Sequence, residues 1–457
     1  MRLAISQIAP ATHGYAKLAS ANEKDGQDIF ITSISTDSRS IKSGALFVPI
    51  VGESFDGHDF ITQAAEKGAV CVLTQSGKMQ SGIDIPYIEV NCTRKALLDL
   101  AAFYLQLVGP KVIGITGSAG KTTLKDMIAS VLEKKYRTKK TIGNFNNDIG
   151  MPLSVFALEV GDEVIVLEMG MNHAGEITPL SRAAKPDIAV ITNIGDAHIE
   201  NFKNREGILH AKLEILDGLK KTGCAFFNGD DPLLTGHIAA GKTSGLNAFY
   251  PNNSHIIAKK SLGLMGTECR FIWKNTEVHV VVPLPGDHMV KNALLAAAVC
   301  LELGCSPENI CAGFTDFQTS SGRLNILHAG GKTIINDVYN SSPDALKNSL
   351  LVLSEQSGRK AAILGDMLEL GHMAEIRHKE AGEFAAELGL DVLITSGELA
   401  RFIHESYKAS HGKGIAIHLE SKVDFGKVKD DVLQDGDTVL IKASRGAKFE
   451  EITEIFL

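Results

Sequence analysis

KVIGITGSAGKTTLKD, residues 111–126, decides how the rest of the chain is read. An apolar run enters a glycine-rich turn, and the turn enters a helical pattern. Backbone N–H groups in such a turn form a nest for phosphate oxygens, and the helix N-terminus adds positive potential. Lys121 is placed to reach terminal phosphates, and Thr122 to hold a divalent cation. The spacing departs from the common phosphate-loop pattern: position 115 is Ile115, and the glycines are Gly114, Gly117 and Gly120. The bland alternative is an ordinary strand-to-helix turn with a chance lysine. The apolar strand before it and the glycines flanking Ser118-Ala119 favour the phosphate loop.

Outward from this loop the same grammar repeats. DEVIVLEMG (162–170), DIAVITNIG (187–195) and CAFFNGD (224–230) are short apolar runs with helical patterns between several of them. Continuous apolar strands alternating with helices mean a parallel sheet covered on both faces. Residues 247–283 read as added β structure. A second α/β cycle begins near Arg323, with TIINDVY, AAILGDM, DVLITSG, GIAIHL and TVLIKAS as five strand candidates. Pro343 suits the first turn of a helix. Before the loop, ALFVPI (45–50), AVCVLT (69–74) and PYIEV (86–90) are strand-like, 57–68 has helical spacing, and 92–109 is an amphipathic helix stopped by Gly109-Pro110. The expected fold is α/β in three domains: a small α/β domain over 1–108, a central phosphate-loop domain with a parallel sheet over 109–320, and a Rossmann-like domain over 321–457.

The 457 residues agree with about three domains. With 46 Lys+Arg against 54 Asp+Glu the net charge is −8, a poor balance for general nucleic-acid binding. The longest apolar stretch, 293–305, is interrupted by Glu302 and Gly304 and reads as a buried core helix, so no membrane insertion is expected. The N-terminus is a weak signal-peptide candidate. Seven cysteines without a CxxC pair read as free thiols in a reducing compartment, so a cytoplasmic location is expected.

Four further residues are candidates for chemistry. Glu168 ends an apolar strand beside the phosphate loop, which is a place for a metal ligand or simply for a strand-end carboxylate. His198 follows the next strand and either faces the same cleft or is structural. Lys212 and Glu214 lie in a helical pattern over 210–219, and from spacing alone they read as a solvated helix face.

At this point the motifs resemble those of the ATP-dependent Mur ligases of peptidoglycan synthesis, over nearly the whole chain. The residues that carry the resemblance are 35–60, TGSAGKTT (116–123), GNFNNDIGMP (143–152), EMG (168–170), TNIGDAHIE (192–200), AKLEI (211–215), PGDHMVKNALLAAA (285–298), NDVYNSSPDAL (336–346), ILGDMLELG (363–371) and IKASRGAKFEE (441–451). Stretches 143–152 and 363–371 are similar to the branch that adds D-alanyl-D-alanine to UDP-N-acetylmuramoyl-tripeptide. The resemblance implies ATP and Mg²⁺ as cofactors, those two substrates as partners, and a monomer.

Carried over by motif, Gly117, Ser118, Ala119, Gly120, Lys121, Thr122 and Thr123 would hold ATP phosphates. His288, Asn292, Arg323, Asp337, Tyr339 and Asn340 would complete the nucleotide site. Ser35, Thr36, Asp37, Ser38 and Arg39 would meet the UDP group, and Asn144, Asn146 and Asn147 the rest of that substrate. Thr122, Glu168 and His198 become metal ligands, joined by Lys212 if it is carbamylated. Lys121, Lys212 and His198 are the implied catalytic residues. Three positions depart from the family pattern: Met289 and Ala119 stand where Asn is common, and Ser341-Ser342 where Ala-Asn is frequent. The resemblance also implies closure of the C-terminal domain, hinged near 318–323. A folylpolyglutamate synthase would lack the 35–60 motif. The branch adding a third amino acid would show a DYAHTP-like segment where NDVYNSSPD stands. A nucleotide-binding regulator would need no second metal position.

Overall fold

The computed structural model describes residues 1–17, 28–241 and 245–457. Its centre is a six-stranded, all-parallel sheet. Across the sheet the strands run Asn247–Phe249, Cys224–Phe227, Ile188–Ile191, Lys111–Thr116, Val164–Glu168 and Thr138–Lys140. Val164–Glu168 and Ile188–Ile191 are buried at every position, as strands covered on both faces must be. The chain leaves Lys111–Thr116 first toward one edge and later toward the other. That strand is therefore a topological switch point, and the loops after it and after both neighbours open into one crevice. The edge strand Thr138–Lys140 is polar and had no apolar signature to announce it.

The expected β addition is present in two parts. Asn247–Phe249 joins the parallel sheet, while Ile256–Ser261, Thr267–Trp273 and Thr276–Val282 form an antiparallel meander. The buried-helix reading of 293–305 holds as far as Glu302, where the helix Asp287–Glu302 ends; that helix packs on the phosphate-loop helix Lys121–Leu132.

The N-terminal part holds a five-stranded sheet in the order Tyr15–Lys17, Tyr87–Val90, Ala69–Gln75, Ala45–Phe47 and Ser33–Ser35, antiparallel only at the first pair. Two boundaries differ from expectation here. The strand at 45–50 ends at Phe47, and the helix at 57–68 is a 3₁₀ turn, Gly57–Phe60, leading into Ile61–Glu66. Asp56 accepts from the His58 N–H and so caps that tighter turn.

The C-terminal sheet runs Asn325–Ala329, Lys332–Asn336, Thr438–Lys442, Lys360–Gly365, Val392–Ser396 and Ile415–Leu419. Five strands are parallel, as the five candidates required. The sixth, Asn325–Ala329, pairs antiparallel at the edge. The ends of Lys332–Asn336 and Thr438–Lys442 face the crevice of the central sheet, and their loops supply its second wall.

Candidate active site

One cavity of about 290 Å³ lies where the two sheets' strand ends meet. The phosphate loop forms its floor. Gly117 has φ +149°, and a Cβ there would lie 1.8 Å from Thr192 Oγ1, so only glycine fits. Thr192 Oγ1 donates to the Ala119 carbonyl at 2.6 Å, and Asn193 Oδ1 accepts from the Ala119 N–H at 2.9 Å. The strand end 192–193 therefore clamps the loop from behind. The helix Lys121–Leu132 begins at Gly120 with no side-chain cap. Its first N–H groups are left to a ligand, the usual arrangement for an anion at a helix start. Lys121 curls back, donating to the Gly117 carbonyl at 2.9 Å, and burial lowers its ammonium pKa.

Glu168 is 2% exposed and fully engaged. Its Oε2 accepts from Thr122 Oγ1 at 2.8 Å and its Oε1 from Asn146 Nδ2 at 2.9 Å. The strand-end reading is thereby decided: this carboxylate is buried at the loop, not solvated. Asn146 in turn fills the space where a side chain on Gly170 would stand. Asn144 lines the same cavity. Asn147 does not; its Oδ1 accepts from the Gly150 N–H at 2.8 Å and supports the helix Gly150–Val155.

His198 also lines the cavity, in a left-handed conformation with φ +63°. Its Nδ1 lies 2.7 Å from Glu369 Oε2 of the C-terminal domain, and the histidine holds the Glu369 carboxyl below its usual range.

The spacing-based reading of Lys212 is overturned. Lys212 is 2% exposed, at the end of the helix Arg205–Leu213. Burial and the nearby Lys121 charge both drive its pKa well down, and no acid offsets them. The expected helix over 210–219 continues only as a 3₁₀ turn, Glu214–Gly218. Glu214 is not a solvated partner either. Its carboxylate accepts from the N–H groups of Gly175, Ile177 and Thr178, anchoring the start of the helix Ile177–Ala184.

The facing wall comes from the C-terminal domain. The Arg323 guanidinium sits 3.9 Å from the Tyr339 ring centre, giving a flat, cationic platform. Asp337 is held by Lys442, by Ser349 Oγ at 2.7 Å and by the Leu324 N–H at 3.2 Å. Asn340 is adjacent, and Lys442 donates to its carbonyl at 3.0 Å. His288 is half-buried in the wall, where burial pushes its pKa down to about 4, so it is neutral at pH 7. Asn292 stands behind the loop: a Cβ on Gly120 would meet its amide at 2.9 Å. Met289, Ser341 and Ser342, the departures from the family pattern, all line the cavity.

Ser35, Thr36, Asp37, Ser38 and Arg39 lie outside this cavity, at and just beyond the end of the edge strand Ser33–Ser35 of the N-terminal sheet. There Asp37 and Arg39 pair at 2.8 Å, and Ser38 Oγ donates to Gln63 at 2.6 Å. Lys442, Ser349, Glu369, Thr192 and Asn193 belong to the site but had not been singled out. All but Ser349 lie within motifs already quoted, yet only the fold brings them together.

The donor set suits a hard cation. Glu168 and the Thr122 hydroxyl supply oxygen, and among the described residues no group of three or more His, Cys, Asp or Glu forms an all-protein cage. Mg²⁺ is commonly bound by one or two carboxylates together with substrate phosphates and water.

Known proteins agree with this geometry. The sequence model of the Mur ligase middle domain matches residues 115–300, that of the Mur ligase glutamate ligase domain 322–445, and that of the Mur ligase family catalytic domain 30–105. The chain is 41% identical over 93% of both chains to the UDP-N-acetylmuramoyl-tripeptide–D-alanyl-D-alanine ligase of Bacillus subtilis (strain 168). It is 34% identical to that of Escherichia coli (strain K12), over 94% of each. A crystal structure of MurF from Acinetobacter baumannii superposes with a TM-score of 0.89 at 30% identity, covering 100% of this chain and 99% of that one. The MurF ligase of Thermotoga maritima, solved in complex with ADP, gives 0.82 at 29% identity, covering 93% and 96%. With all three parts matched in order around one phosphate-loop crevice, the chain belongs to the Mur ligase family.

Proposed function

We propose that this protein is an ATP-dependent amide ligase that joins D-alanyl-D-alanine to UDP-N-acetylmuramoyl-tripeptide, yielding the pentapeptide precursor of peptidoglycan, ADP and phosphate. The observation that carries it is the 41% identity, over 93% of both chains, to a relative named for that reaction. The cavity supplies a chemical reason. A carboxylate does not acylate an amine in neutral water, because the amine simply forms a salt. One carboxylate oxygen must first become a leaving group. The tripeptide carboxylate attacks the γ-phosphorus of ATP, ADP departs, and an acyl phosphate forms. The amine then attacks the acyl carbon, loses a proton, and phosphate leaves from the tetrahedral intermediate.

Phosphoryl transfer of this kind is mostly positioning and charge neutralisation. The uncapped helix start and Lys121 would hold the phosphates. Arg323 and Tyr339 would cover the nucleotide from the other domain. Mg²⁺, held by Thr122 and Glu168 with His198 nearby, would neutralise phosphate charge. Lys212 has the burial and lowered pKa of a neutral amine, the form that adds CO₂ to give an anionic carbamate. The 35–39 loop would bind the UDP end, well away from the chemistry. The free thiols and the need for ATP fit the cytoplasm, and no helix among the described residues is long and apolar enough to cross a membrane.

The test is phosphate release with ATP and Mg²⁺, with UDP-N-acetylmuramoyl-tripeptide, and with or without D-alanyl-D-alanine. Release that needs both, with a pentapeptide by mass, is expected. Turnover only with the dipeptide acceptor and a free diamino acid would move the protein to the neighbouring branch.

A further inference from the structure

Among the described residues, three close contacts between ionisable side chains join the central and C-terminal domains, and all start from the short segment 196–205. Asp196, whose side chain is 3% exposed, pairs with Arg205 of its own domain. Arg377, on the C-terminal helix Ala374–Glu387, also reaches it, with Nε 2.8 Å from Oδ2. The Arg377 N–H points off that line, so the contact is an ion pair rather than an aligned hydrogen bond. Arg205 extends to within 3.8 Å of Asp344, in the first turn of the helix Pro343–Ser354. His198 makes the third contact, to Glu369. The approach is tight: a Cβ on Gly195 would lie 2.3 Å from the Asp344 carboxylate.

His198 adopts a left-handed backbone, uncommon for a residue with a side chain. Such a conformation persists where the surroundings over-determine it. Here the surroundings are the Asp196 turn on one side, whose carbonyl accepts from the Ile199 N–H at 3.1 Å, and Glu369 on the other. Asp196 thus ties the loop that carries His198 to the domain expected to bring the amine. A second cavity, about 360 Å³, is walled by Asp196, Arg205, Asp344 and Arg377.

We propose that Asp196 and Arg377 are positioning residues: their ion pair latches the C-terminal domain against the His198 loop and sets the closed geometry for amide formation. The proposal rests on the ligase reading above. It makes a specific demand on Arg377. When Arg377 is removed, Asp196 keeps Arg205, so the central domain retains a compensated carboxylate while the link between domains is lost.

The experiment compares wild type, Arg377→Met and Arg377→Lys in the ligase assay, in thermal unfolding, and in small-angle scattering with ADP and Mg²⁺. Arg377→Met is expected to lower kcat about tenfold, in the range of coupling between sites, with KM for ATP within about twofold. Its melting should match wild type, and its radius of gyration with nucleotide should be larger. Arg377→Lys should recover most of kcat. Wild-type kcat and radius in Arg377→Met would overturn the latch, and so would a lysine variant as impaired as the methionine one. If Arg377→Met fails to fold, Arg377→Gln decides: it keeps a polar side chain but removes the charge, and kcat should fall about tenfold with melting near wild type; no change would overturn the proposal. If wild type itself shows no ligation, the reading of function fails, and the scattering comparison still decides the latch.

Discussion

Lys442→Met should destabilise the C-terminal domain by an amount that depends on pH. The Lys442 side chain is 2% exposed and that of Asp337 is 12% exposed. Methionine keeps the length and removes the charge. Asp337 would retain Ser349 Oγ and the Leu324 N–H but lose its counter-charge. Burial pulls the Asp337 pKa up, and in the intact protein Lys442 with these two donors outweighs it, leaving the carboxyl below its ordinary value. Without Lys442 burial dominates. An unpaired buried charge costs about 3–5 kcal/mol. Taking up a proton instead costs about 1.36 kcal/mol for each pH unit above the unfolded pKa of about 3.9. That route limits the loss to about 4 kcal/mol at pH 7 and about 1.5 kcal/mol at pH 5. The sign follows from the depressed native pKa. The pair's stabilisation is full above the unfolded value and is lost only as pH falls through the folded one, so the wild-type contribution stays in place between pH 7 and 5. The difference between variant and wild type therefore narrows on acidification. Denaturant unfolding of both proteins at the two pH values measures it. Asp337→Asn combined with Lys442→Met should recover most of the loss. A loss under about 1 kcal/mol at pH 7, or an equal loss at both pH values, would refute the reasoning.

Two further outcomes follow from the loop and from the buried amine. Gly117→Ala places a Cβ 1.8 Å from Thr192 Oγ1 at φ +149°, so the loop must shift. ADP affinity by calorimetry should fall by about tenfold or more, equivalent to about 1–3 kcal/mol of backbone strain, and an unchanged affinity would contradict the cradle. With ¹³C-bicarbonate, Lys212 should give a carbamate signal by NMR at pH 7, because burial and the Lys121 charge lower its pKa and so favour the neutral amine that adds CO₂. Lys212→Ala should remove that signal and most turnover, with partial rescue by a short-chain carboxylate. Full activity with no carbamate from pH 7 to 9 would sink this reading.

The central sheet was legible because its four inner strands are short apolar runs, buried except at Lys111, with turn residues at their C-terminal ends. Glu168 could be singled out for the same reason, as a carboxylate at the end of VIVLE. Thr138–Lys140 was not legible, since an edge strand of Thr and Lys carries no core face. Lys212 was misread because helical spacing says which face a residue occupies but not what covers it. The charge that acts on it, Lys121 of the phosphate loop, is distant in sequence. Glu369, Arg377 and Asp196 escaped notice for a related reason: each is unremarkable in its own segment and acquires a role only where two domains meet. The motifs supplied the identity of the loop residues, while Asn147 and Glu214 show that a polar residue within a motif can serve a helix start.

The central claim, that a carboxylate oxygen is phosphorylated and then displaced, has a direct test. UDP-N-acetylmuramoyl-tripeptide labelled with ¹⁸O in its reacting carboxylate is turned over with ATP and D-alanyl-D-alanine, and the released phosphate is read by mass. One ¹⁸O per phosphate is expected, because the oxygen that took the γ-phosphoryl group leaves with it. Unlabelled phosphate, or label carried into AMP, would contradict an acyl-phosphate route.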